Sequence, residues 1–157
     1  MAGKTPIIFL HIPKTAGSTV HKILHNEYKG LKHFLCVNYK EIELFEKLSI
    51  EEKKEIKIIR GHLPFGVHEN YPGAITYFTF FRNPIKRSIS DFNYLYHYKK
   101  LPFHAQMVRE KYSLKDILKG GFLKNFDNCH VRFLAIAYVS SVTSPNSSSF
   151  APAKNRT

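Results

Sequence analysis

The sequence predicts an α/β protein of three layers, a central parallel sheet flanked by helices. Three observations carry that expectation. Short β-branched and aromatic runs stop abruptly at Pro, Gly or Arg; amphipathic runs of helical spacing lie between them; and candidate anion-binding residues fall just past the runs, at the carboxyl ends of strands, where such sheets bind their ligands. With 157 residues, 43% of them apolar and 14% aromatic, the chain can bury one core, so a single folded domain is expected.

The segment Ile7-Ile8-Phe9-Leu10-His11-Ile12 reads as a buried strand stopped by Pro13. A helix follows, with Ser18 or Thr19 as its N-cap, Val20, Ile23 and Leu24 as its apolar positions, and an end over Asn26 to Gly30. His33 to Val37 reads as a second short strand. Tyr39 to Leu48 places Ile42, Phe45 and Leu48 at helical spacing between charges, an amphipathic helix to cover the sheet. Glu51 to Lys57 is read as a solvated charge run, and Ile56 to Ile59 as a strand that ends at Arg60-Gly61-His62.

Ala74 to Phe81 is the clearest strand of all. Arg82-Asn83-Pro84 breaks it into a long helix with Asn83 as cap and Pro84 at the first helical position. On that helix Ile85, Ile89, Phe92 and Tyr96 form one stripe, and Arg87, Ser90 and Tyr94 fall on the opposite face. From about Ala135 the character changes: Val139 to Thr157 holds six serines, two prolines and no acid. The expected division is therefore a domain over 1–134 and an irregular Ser-rich tail over 135–157.

Twenty-four Lys and Arg stand against twelve Asp and Glu, a net charge of +12, so the natural partners are anions. Nucleic acid, phosphorylated nucleotides and acidic polysaccharides all satisfy that balance. The two cysteines, Cys36 and Cys129, lie far apart without CxxC spacing, which reads as buried free thiols rather than a disulfide framework or a zinc site. The N-terminal apolar run is far shorter than a signal or membrane-spanning segment, so a cytoplasmic protein is expected from the chain as written.

Chemistry is concentrated in Pro13-Lys14-Thr15-Ala16-Gly17-Ser18-Thr19. A Lys just past a strand, and a Gly before a hydroxyl pair that opens a helix, make a phosphate cradle: loop amides and helix-start N–H groups face an anion, and Lys14 adds a point charge. Gly17 is read as allowing close backbone approach. The arrangement is P-loop-like without being a Walker A loop, whose Lys stands directly before the hydroxyl residue. The strongest strand ends in Arg82 rather than in the acid that organises magnesium, so a transfer without a metal is expected. Arg82, Arg87 and Ser90 are read as converging on a second phosphate, a task suited to the planar guanidinium fork. His62 at its own strand end is the preferred general base, with His68 as the runner-up, while His11 is expected to pack or hydrogen-bond locally.

Together these segments resemble the sulfotransferases that use 3′-phosphoadenosine-5′-phosphosulfate (PAPS), and most closely the carbohydrate type related to uronyl and heparan sulfate 2-O-sulfotransferases. The resemblance covers about Ile7 to Leu134. It implies that Phe9 to Thr19 grips the 5′-phosphosulfate and that Phe81 to Ser90 grips the 3′-phosphate through Arg82 and Ser90. Gly61-His62 resembles the place of the catalytic histidine, and Asp127 to Leu134 a further family stretch of the Asn-x-x-x-Arg kind. The implied reaction moves a sulfonate group to an acceptor hydroxyl, expected to be on a glycan, with no metal. The related enzymes carry a membrane anchor in the Golgi and have further elements after the last stretch, so the domain is expected to be C-terminally incomplete, with a Golgi lumen location as the alternative for a fragment. Two other classes fit parts of the pattern: a non-catalytic basic module for nucleic acid or acidic glycan, which the charge allows but no RNP-like, KH or zinc-finger signature supports, and a metal-dependent nucleotide kinase, which lacks its strand-end carboxylate.

Overall fold

A computed structural model of the chain describes residues 5–101, 103–121, 123 and 126–135. The expected Ser-rich tail, from 136 onward, lies outside these residues. Four strands, β1 (Ile7–Leu10), β2 (Lys32–Cys36), β3 (Ile56–Gly61) and β4 (Thr76–Phe78), form one parallel sheet in the order β2-β3-β1-β4. Among the described residues seven α-helices accompany them: α1 (Gly17–Glu27), α2 (Tyr39–Lys47), α3 (Ile50–Glu55), α4 (Pro84–His97), α5 (His104–Arg109), α6 (Leu114–Gly120) and α7 (Cys129–Ala135). None of them is long and apolar enough to cross a membrane.

Alternation along β1 generates the layers. Ile8 points to one face, where it joins Ile42 and Phe45 of α2 with Cys36, Ile56, Ile59 and Leu63. Phe9 points to the other, against Val20 and Leu24 of α1 and Ile58. Both faces of the sheet are therefore covered, which is why β1 reads as a continuous apolar run. Cys36 and Cys129 are buried free thiols as expected, and burial, assisted by Glu41, pushes the Cys36 thiol up to about 12.

Four local expectations are corrected. The cap of α1 is neither Ser18 nor Thr19 but Ala16, which is left-handed at φ 67° and makes no side-chain cap, so the hydroxyls fall inside the first turn. The strand expected over Ala74 to Phe81 pairs only from Thr76 to Phe78. Among the described residues it is an edge strand with β1 alone for a partner, and past that point the Thr79 hydroxyl donates to the Leu10 carbonyl at 2.7 Å instead. The charge run is helical from Ile50 to Glu55, started by a capping box between Ser49 and Glu52. Its Lys53 is buried, with Nζ donating to the Glu46 carbonyl at 2.9 Å.

The fourth correction concerns α4, whose cap at Asn83 and first residue Pro84 are as expected. Its apolar stripe does not face the core: Ile85 is 71% exposed, whereas Arg87 and Asp91 are 2% and 4% exposed. These two are one turn apart and paired, Nη1 to Oδ2 at 3.4 Å. Mutual compensation is what permits two charges on the inner face. Burial raises the Asp91 carboxyl above its usual range, and the cations of Arg87 and Lys14 pull it back. Asp91→Ala is expected to cost about 3–5 kcal/mol, the scale for removing one partner of a buried ion pair, read as a lowered urea midpoint.

Candidate functional site

The strand order sets β3, β1 and β4 side by side, so the segments that follow them share one edge of the sheet. A cleft of about 810 Å³ lies there, lined by Pro13, Lys14, Ala16, Gly17, Ser18 and Arg82 among others. Pro13 to Gly17 form a tight turn in which Lys14 and Ala16 are both left-handed, at φ 69° and 67°. Two non-glycine residues held there store strain of about 1–3 kcal/mol each, and such outliers gather at ligand clamps. Between them Thr15 is buried and its hydroxyl donates to the Ile12 carbonyl at 2.8 Å, which pins the turn from beneath. Alternating left-handed residues tilt successive N–H groups into one concavity, a nest for an anion. The amides of Thr19 and Val20 already donate to the Ala16 carbonyl, so those of Gly17 and Ser18 are the helix-start donors nearest a ligand.

Lys14 lies over the ring of Tyr94, its Nζ 4.2 Å from the centroid. Arg82 reaches across from the start of α4, and its Nη1 donates to the Lys14 carbonyl at 3.2 Å. Arg82 and Ser90 also line a second hollow of about 270 Å³ together with Lys86, Ile89 and Asn93. Three of the residues expected at the second phosphate therefore divide: Arg82 and Ser90 come together, and Arg87 does not join them but pairs beneath with Asp91. Lys86 stands where Arg87 was expected, because a helix turns 100° per residue and the position before Arg87 faces the hollow.

His62 follows β3 and lines the same cleft. Its Nδ1 lies 2.9 Å from the His11 carbonyl. A carbonyl can only accept, so Nδ1 carries a proton, and in the neutral tautomer this bond selects, Nε2 would keep its lone pair, the state a general base needs. His11 follows β1 and does pack locally: its ring stacks on His62 at 4.5 Å and on Phe9 at 5.5 Å. His68 is elsewhere, with Nδ1 3.3 Å from the Tyr77 hydroxyl and outside the cleft lining. The stretch Asp127 to Leu134 supplies Phe133 to the cleft, while Arg132 is held by Asp127. Among the described residues no group of three or more His, Cys, Asp or Glu could hold a metal ion.

Nothing in the sequence marked Asp91 for the inner face, Tyr94 for a contact with Lys14, or the His11 ring for a place against His62. The Arg87–Asp91 spacing of four on a helix was a legible signal of a pair. No spacing foretells that a Tyr on α4 meets a Lys from the β1 loop.

Burial, with the nearby charges of His62 and His21, lowers His11 to about 4. In the unfolded chain an ordinary imidazole binds its proton near 6.5, so between 6.5 and about 4 the unfolded state takes up the proton and the folded state resists it. The stability carried by neutral His11 is therefore present above 6.5 and lost as pH falls toward 4. In His11→Asn the urea midpoint is expected to fall less on acidification from pH 7 to pH 4 than in the parent.

A family model described as a sulfotransferase family matches residues 1–140 of the chain. No curated protein and no solved structure matches it.

Proposed function

The chain belongs to the sulfotransferase family, and from that premise we propose that it transfers the sulfonate group of PAPS to a hydroxyl of a carbohydrate. One observation supports this reading above the rest: Lys14, the Gly17 and Ser18 amides and His62 line a single cleft that Arg82 joins to the hollow of Lys86, Ser90 and Asn93. Two anion-binding places, one beside the His62 imidazole, suit a donor with a 5′-phosphosulfate and a 3′-phosphate. The nest and the helix start hold the 5′ end; Arg82 and Ser90, with Lys86, hold the 3′-phosphate.

In the reaction the acceptor oxygen attacks sulfur in line. As that bond forms, the bond from sulfur to the bridging oxygen breaks and adenosine 3′,5′-bisphosphate departs. The acceptor proton goes to Nε2 of His62. Lys14 neutralises the charge that grows on the bridging oxygen, and the fixed turn lets it do so without rearrangement. Lys14, Arg82 and Lys86 serve the donor in this scheme, and the rest of the 24 Lys and Arg supply a surface field that draws an acidic glycan.

Calorimetric titration with adenosine 3′,5′-bisphosphate tests the reading. One-to-one binding is expected, weakened about tenfold or more in Arg82→Ala by the loss of a charge-assisted contact. A folded parent chain that does not bind the bisphosphate overturns it.

A further inference from the structure

We infer that His11 is a positioning residue that couples the donor loop to the base, and that position 17 is glycine because the His11 ring occupies the space a side chain there would fill. A Cβ built on Gly17 would lie 1.7 Å from His11 Nε2, 2.0 Å from Cε1 and 2.3 Å from Cδ2. Its three nearest neighbours are thus all atoms of one imidazole. The backbone at Gly17 is not left-handed, since the positive-φ residues of this turn are Lys14 and Ala16. The requirement for glycine there is steric and comes from within the protein, not from the conformation and not from a ligand alone.

The same residue holds the base in two ways. Its carbonyl accepts the His62 Nδ1–H at 2.9 Å, and its ring stacks on the His62 ring at 4.5 Å and 26°. Its amide donates to the Gly61 carbonyl at 2.8 Å, tying the end of β1 to the residue before His62. Phe9 stacks against its ring, and His21 of α1 meets it edge-on at 5.2 Å, so the imidazole cannot swing away freely. One ring is therefore wedged between the first residue of the anion-binding helix and the catalytic imidazole. A shift of the loop on donor binding is passed to His62 through this contact. The role given to His62 rests on the reading above; the wedge itself does not.

The test is a double-mutant cycle of Gly17→Ala and His11→Ala, with two readouts. The first is the bisphosphate affinity by calorimetry; the second is the His62 Cε1–H resonance across a pH titration by NMR. Gly17→Ala in the parent is expected to weaken binding about tenfold or more and to displace the His62 resonance, although position 17 lies on the donor loop. In the His11→Ala background the same substitution is expected to change binding less than about threefold, because the obstructing ring is gone, a coupling in the range seen for residues in contact. If Gly17→Ala folds poorly, recovery of its urea midpoint by His11→Ala carries the same conclusion. An equal penalty in both backgrounds, or a His62 resonance indifferent to Gly17→Ala, overturns the inference. A parent chain that fails to bind the bisphosphate overturns the proposed function instead, and the NMR and urea readouts still decide the wedge.

Discussion

Lys14→Ala is expected to lower turnover by about 10²–10³-fold, the scale for losing one preorganised donor at a developing charge, and to weaken bisphosphate binding by about tenfold or more. Steady-state kinetics with PAPS and calorimetry with its product read the two effects apart. Alanine is the informative replacement because position 14 is left-handed at φ 69°, and Ala keeps the Cβ and the strain while removing the ammonium. The turnover loss should exceed the binding loss, since the bridging oxygen carries more charge in the transition state than in the bound donor. The Tyr94 ring beneath Nζ at 4.2 Å holds the ammonium at the cleft before any ligand arrives. Equal losses in binding and turnover would make Lys14 a ground-state phosphate ligand only.

His62→Ala is expected to divide the two readouts in the opposite sense, with turnover falling by about 10²–10⁴-fold and bisphosphate affinity nearly unchanged. In the proposed scheme the donor is held by the β1 loop and α4, and His11 remains held by Phe9 and His21 when its stacking partner is removed. Loss of both binding and turnover would mark His62 as a structural histidine. The pH profile carries a further signature: the limb of kcat/KM that reports the free base in the parent should vanish in the variant.

Much of this site is legible in the sequence alone. The order of polar residues after an apolar run pointed to the turn from Pro13 to Gly17 beside the cleft, and the Arg-Asn-Pro break located Asn83 and Pro84 at the start of α4. Such signals are local: capping, the fixed φ of proline and the period of a helix act over a few residues and are written in the chain. The reading failed where a neighbour in space outvoted the local pattern. Ile85 and Ile89 form a helical stripe, but the interior under α4 accepts the longer Arg87 with Asp91 one turn on. Ser18 and Thr19 are good caps by type, yet the turn set by left-handed Lys14 and Ala16 starts the helix before them.

The sequence by itself determined the alternation of strand and helix, the parallel sheet covered on both faces, the turn after β1 and the family to which they belong. Those follow from periodicity, composition and short-range geometry. Only the tertiary structure decided that β3, β1 and β4 are neighbours, which brings His62, the Lys14 turn and Arg82 to one cleft from positions far apart in the chain. It also decided that Arg87 lies beneath the cleft and that a His11 ring fills the place of a side chain at Gly17. Strand order and close packing are settled by how whole surfaces fit together at crystal-like density, and no window of neighbouring residues contains that information.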